Sequence, residues 1–167
     1  MNKRNIILIG MPGAGKSSVG VILAKVLGYE FIDTDLVIQH REKRLLREII
    51  ADEGNEGFLA IENEVNATLE ADKSVIAPGG SAIYGKEAME HFKEIGIIVY
   101  LKLSYEDLAK RLGNLKGRGV VLKEGQTLKD LYDERSKLYE QYAEITVDES
   151  GMDIQGTILA LREQIGM

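Results

Sequence analysis

Ile6-Ile7-Leu8-Ile9-Gly10-Met11-Pro12-Gly13-Ala14-Gly15-Lys16-Ser17 is the stretch on which the reading of the fold turns. Four consecutive apolar residues closed by a glycine read as a buried strand of a parallel sheet, because such strands are covered on both faces and lose the alternation of a half-exposed one. Behind them the period changes. From Lys16 to Leu27 the apolar positions Val19, Ile22, Leu23, Val26 and Leu27 recur at helical spacing, and Gly28 stands where a helix is expected to stop. Between strand and helix, Gly10 to Ser17 satisfies G-x-x-x-x-G-K-[ST] in full. That pattern has a mechanism. Glycines let successive backbone N–H groups converge on phosphate oxygens, the following helix offers its positive end, the lysine neutralises β/γ charge and the serine hydroxyl can ligate magnesium. Gly13, Ala14, Gly15, Lys16, Ser17 and Ser18 are therefore the expected cradle for ATP, with Lys16 also acting on the reacting phosphate and Ser17 on Mg2+.

Outward from this unit the alternation continues. Phe31-Ile32-Asp33, Ser74 to Ala77, Ile95 to Leu103 and Ile145-Thr146-Val147 read as further strands. Helical stretches lie between and after them: Leu36 to Ala51 with a break inside, Glu56 to Ala71, Lys86 to Lys93, Tyr105 to Leu112, Leu128 to Tyr142 and Asp153 to Ile165. Strand and helix alternating along the whole chain imply an α/β fold with a doubly wound parallel sheet. Ser104 and Thr127 are each followed three residues later by an aspartate, Asp107 and Asp130, which marks two helix starts. Residues 113–125 carry Lys116, Arg118 and Lys123 without periodicity and read as a surface segment.

A chain of 167 residues fits one domain, taken here as 1–167, around one core. A formal charge of -6 gives no general attraction to nucleic acid or to an anionic membrane, so neither is an expected partner. With no cysteine, disulfides, thiolate zinc sites and a cysteine nucleophile are excluded. The apolar run Ile6 to Ile9 is too short for a membrane span or a signal-peptide core. A cytoplasmic monomer is the expectation.

Phosphate-loop proteins divide by what surrounds the loop. A GTPase would show Asn-Lys-x-Asp after a strand, and this chain has none. It has instead Asp33-Thr34-Asp35 at a strand end, where open α/β sheets bind ligands. Asp33 suits a place in the magnesium shell, and Asp35 suits the base that accepts a hydroxyl proton from a phosphate acceptor. The other reading is that one of the pair caps the helix beginning near Leu36.

These residues resemble the shikimate kinase family of P-loop proteins. The likeness runs through the Gly10 to Ser17 loop, Phe31 to Asp35, Gly57-Phe58, Pro78-Gly79-Gly80, Arg111 and Arg118 seven apart, and Arg135 with Tyr139. The resemblance implies a three-layer αβα fold with five parallel strands in order 2-3-1-4-5, a helical acceptor-binding region over about 34–72 and a lid over about 113–125. It implies ATP and Mg2+ as cofactors and a small hydroxyl-bearing acceptor as partner. By the same resemblance Asp33 lies near magnesium, Asp35, Gly79, Gly80 and Arg135 touch the acceptor, Arg111 stacks on adenine, and Arg118 is the catalytic arginine of the lid, which also meets the nucleotide.

Three positions depart from the family pattern. The arginine that follows the Phe of the Gly-Phe pair is here Leu59, the triple glycine is Gly79-Gly80-Ser81, and the lid's Arg-Pro-Leu-Leu is Arg118-Gly119-Val120-Val121. On a helix from Gly57, Phe58, Ile61, Val65 and Leu69 share a stripe, and Leu59 points off it. It is either an exposed leucine or apolar lining of the acceptor pocket. Ser81 can donate a hydrogen bond there. Losing an arginine that grips a carboxylate removes charge-assisted hydrogen bonds worth ~1.5 to 3 kcal/mol, which raises the expectation of an acceptor other than shikimate. The alternatives are a kinase for another sugar acid or a nucleotide, and a degenerate domain that binds nucleotide as a regulator.

Overall fold

The computed structural model describes residues 4–112 and 125–167. Its five strands are β1 (Asn5–Ile9), β2 (Glu30–Asp33), β3 (Ser74–Ala77), β4 (Gly96–Lys102) and β5 (Ile145–Asp148). They form one parallel sheet in the order β2-β3-β1-β4-β5. The described helices are α1 (Lys16–Leu27), α2 (Thr34–Glu42), α3 (Leu46–Ala67), α4 (Lys86–Ile95), α5 (Tyr105–Arg111), α6 (Leu128–Tyr142) and α7 (Ile154–Ile165), with a 3-10 turn at Ala82–Tyr84.

The continuous apolar runs of β1 and β4 have a direct cause. Side chains alternate between the two faces of a strand, and here both faces are covered. Ile6, Leu8, Val75, Val99 and Leu101 point into a core closed by α1 and α7 through Val19, Leu23, Ile158 and Leu161. Ile7, Ile9, Ile76, Ile98 and Tyr100 point into the opposite core, closed by Met89 and Phe92 of α4, Leu108 of α5, and Leu131 and Tyr139 of α6. A third, smaller cluster joins Ile38 of α2 to Ile49, Phe58 and Val65 of α3.

Several expected boundaries hold. α1 ends at Gly28, which takes the left-handed conformation at φ 71° and ψ 31°. Ser104 and Thr127 accept hydrogen bonds from the amides of Asp107 and Asp130. The break expected within 36–51 is present, and the gap expected between helices ending at 51 and starting at 56 is a kink inside one helix. The chain breaks at Lys43, in the left-handed region at φ 56°, and α3 then runs from Leu46 to Ala67 across a kink at Gly54. Gly54 has φ 73° and ψ 176°, a conformation open essentially to glycine, so the helix bends there without a loop. It stops at Ala67, where Thr68 leaves the helical conformation at φ -108° and ψ 4° and its hydroxyl donates to the Glu64 carbonyl at 2.8 Å.

Candidate active site

Three strand ends meet at the carboxyl edge of the sheet: β1 runs into the loop 10–15, β2 into Asp33, and β3 into Pro78-Gly79-Gly80. Together with α3 and α6 they enclose a cleft of about 680 Å³.

The loop after β1 turns on glycines. Gly13 at φ 91° and Gly15 at φ 84° hold conformations that L side chains rarely adopt. A Cβ on Gly13 would also lie 2.9 Å from Leu112 Cδ2. The Lys16 ammonium is drawn back over the loop, donating to the carbonyls of Gly10 at 2.7 Å and Met11 at 2.9 Å. Burial lowers its pKa to about 8; the Asp35 carboxylate opposes that shift, and the Arg135 guanidinium reinforces it. Ser17 and Ser18 line the cleft at the start of α1.

Across the cleft, the Asp33 carboxylate caps α2 by accepting the Asp35 amide at 2.9 Å. One of its oxygens is used in this way, and the residue still lines the cleft. The capping reading of this pair is thus realised at Asp33. Asp35, in the first turn of α2, keeps its carboxylate for the cleft, and burial, with Asp33 beside it, raises its pKa to about 6 against the pull of Lys16. Gly79 and Gly80 let other groups come close. A Cβ at Gly79 would stand 2.9 Å from Asp35 Oδ1, and one at Gly80 would stand 2.8 Å from Pro12 Cδ and 2.9 Å from Arg135 Nη1. Arg135, from α6, reaches the same cleft with 1% of its surface exposed and its Nε without a hydrogen-bond partner. Arg111, at the end of α5, lines the cleft near the loop and donates to the Gly13 carbonyl at 3.2 Å.

Two of the sequence-level candidates are placed differently. Leu59 packs half-buried against the cluster of Ile38, Ile49, Phe58 and Val65, outside the cleft lining. Ser81 does line the cleft, but its hydroxyl donates to Glu62 Oε1 at 2.7 Å. Arg118, and with it residues 113–124 of the lid stretch, lies outside the described residues.

Sequence reasoning missed Glu62. It is buried at 1% exposure, lines the cleft and has an unpartnered Oε2. Burial raises its pKa to about 7, with the Ser81 hydroxyl opposing the shift. The available signal was a carboxylate four residues after Phe58, on the same apolar face of a helix. Leu46 and Phe58 supply the apolar wall of the cleft. Glu149, buried at the end of β5, was also missed. A Cβ on Gly15 would lie 3.9 Å from its Oε1, and its own Oε2 has no partner.

A phosphate loop, two strand-end carboxylates and a buried arginine around one cleft in a 2-3-1-4-5 sheet define a P-loop kinase. The family model for shikimate kinase matches residues 12–165, and the chain belongs to that family of ATP-dependent phosphotransferases acting on a hydroxyl group. It is 36% identical over 168 residues to the shikimate kinase of Vibrio cholerae serotype O1, covering 97% of each chain. Shikimate kinase 2 of Yersinia enterocolitica is 34% identical over 154 residues, covering 87% of this chain and 86% of that protein. Among solved structures, the shikimate kinase of Acinetobacter baumannii in complex with shikimate superposes with a TM-score of 0.80 at 34% identity, covering 98% of this chain and 91% of that one. No described helix is long and apolar enough to cross a membrane.

Proposed function

We propose that this chain transfers the γ-phosphate of ATP to a hydroxyl of a small hydroxy acid of the shikimate class, held by one arginine. The observation that carries the reading is the juxtaposition of Lys16, Asp35 and the buried Arg135 guanidinium around a single cleft. The triphosphate lies along Gly13 to Ser18, and Arg111, beside the loop at Gly13, is read on the family pattern as the residue that covers the base. Asp35 accepts the acceptor's hydroxyl proton as its oxygen bonds to the γ-phosphorus; the bond to the β-phosphate oxygen breaks and ADP leaves. Lys16 neutralises charge on the transferring group. Arg118 takes the same part from the lid, on the strength of the family pattern.

The Ser17 hydroxyl and the free Asp33 oxygen are hard donors at the phosphate end of the cleft, suited to a magnesium ion that takes one or two protein ligands and completes its shell with phosphate and water. An ion held by these residues would supply charge neutralisation for the transferring phosphate. Gly79, Gly80 and Ser81 shape the acceptor side, with the helical region over about 34–72 closing it through Leu46, Phe58 and Glu62. The reading takes the cytoplasm as the compartment, where ATP is the donor, and the absence of cysteine is compatible with it.

Leu59 bears on affinity. Because it packs away from the cleft, it offers no apolar surface to favour a different acceptor, and Arg135 is left to meet the carboxylate. With ~1.5 to 3 kcal/mol of charge-assisted bonding absent, shikimate is expected to turn over with a KM roughly ten- to a hundredfold above that of an arginine-bearing relative. ADP release measured over shikimate, cyclitols, sugar acids and nucleoside monophosphates tests the reading. Leu59→Arg should lower the shikimate KM. Turnover confined to a nucleotide would overturn the proposal, and tight ATP binding with no turnover would favour the regulator.

A further inference from the structure

Arg135 is the largest fully buried side chain among the described residues, and its Nε makes no hydrogen bond. A cation taken out of water needs compensation, yet a carboxylate partner would occupy the N–H groups that an acceptor needs. The surroundings answer both demands. Tyr84, closing the 3-10 turn after β3, lays its ring 5.5 Å from the guanidinium carbon, within the range where an aromatic face stabilises a cation. The ring face stabilises the charge without taking the Nε–H, which stays unspent.

The ring is itself fixed. Tyr84 Oη donates to Glu134 Oε2 at 2.8 Å, the residue preceding Arg135 on α6. On another side the Gly80 backbone approaches so closely that a Cβ would meet Nη1 at 2.9 Å. That backbone is pinned in turn, because the Gly80 carbonyl accepts the Tyr139 hydroxyl at 2.7 Å. The guanidinium is therefore held between a tethered aromatic face and a tethered glycine. Tyr84 stands outside the cleft lining, so it acts through Arg135.

We propose that Tyr84 is the positioning residue that aims the Arg135 guanidinium at the acceptor's anionic group. The inference rests on the reading of Arg135 as the acceptor's cation. With leucine at 59, one guanidinium must supply both charge and direction, and preorganising it lowers the ordering cost of binding.

The test is steady-state kinetics on Tyr84→Phe and Tyr84→Leu, with Tyr84→Met as a second variant lacking the ring should leucine not fold. Removing the ring is expected to raise the acceptor KM about tenfold, with kcat and the ATP KM unchanged. Tyr84→Phe keeps the face and should stay within about threefold of the wild type. An unchanged acceptor KM, or a matching fall in kcat, would sink the proposal. A second readout does not depend on the acceptor's identity. In protein labelled with 15N-arginine, the Arg135 Nε–H signal should exchange faster with water in the leucine or methionine variant than in the wild type. An unaltered signal overturns the positioning role. If the wild type phosphorylates no hydroxy acid, the functional reading fails, and the Nε–H signal alone decides the role of Tyr84.

Discussion

Asp35 lies under two influences of opposite sign. Burial and the neighbouring Asp33 disfavour its charge, Lys16 favours it, and the balance leaves a pKa of about 6. Lys16 sits at about 8. The base works ionised and the lysine works charged, so kcat/KM is expected to follow a bell, falling below about pH 6 and above about pH 8. A profile flat through pH 5 would remove Asp35 from the base role. Asp35→Asn should cost ~10²- to 10⁴-fold in kcat with the unfolding temperature maintained, as seen by coupled ADP release beside a thermal melt. Glu149 makes a different prediction. Burial raises its carboxyl from 4.5 to about 7, so the folded protein binds a proton that the unfolded chain releases, and stability falls as pH rises from about 4.5 to about 7. Glu149→Gln is therefore expected to melt higher than the wild type at pH 8, with the gap closing toward pH 4; a lower melting point at pH 8 would contradict it. Arg135 was named from the family likeness, whereas Lys16 and Asp35 were legible as cleft residues because each belongs to a pattern whose chemistry dictates the residue type. Glu62 and Glu149 were not, because only tertiary packing turns a glutamate in a helix or after a strand into a buried one.

At the scale of the element, the kink in α3 is the feature that most directly serves the cleft. Phe58 and Glu62 follow it by one and two turns, and both line the cleft. Gly54 is exposed, with nothing within 4 Å of an added Cβ, so the cost of Gly54→Ala comes from backbone conformation alone. It should destabilise the protein by ~1 to 3 kcal/mol in urea titration and weaken acceptor binding more than ATP binding. Equal stability would mean that α3 has another way to bend. Helices flanked by strong punctuation were placed from sequence to the residue: Gly28 ends α1, and the reciprocal Thr127 and Asp130 pair opens α6. Within 36–71 the break and the second boundary were expected but their form was not: Lys43 takes the left-handed region against its propensity, and Gly54 bends α3 without ending it.

For the whole molecule, each parallel crossover must bury its helix, so alternating strand and helix were enough to predict the layers. The 2-3-1-4-5 order came from family likeness, because five similar apolar runs do not say which lies next to which. Loop and acceptor wall touch in this order: Gly80 is wedged between Pro12 and Arg135. A ligand that binds only the folded chain stabilises it, by about 2.7 kcal/mol at a hundred times its Kd. Mg-ATP should therefore raise the unfolding temperature, and Lys16→Ala should abolish that shift.

The central position of β1 also has a consequence for synthesis. The strand leaves the ribosome before both of its neighbours, β3, beginning at Ser74, and β4, beginning at Gly96. Ile6 to Ile9 lack one of their two neighbours until translation has passed Lys102 and that residue has cleared the exit tunnel. The nucleotide loop is made before the strands that flank it and takes shape only after them, and through that interval the nascent chain is most exposed to aggregation and to capture by chaperones.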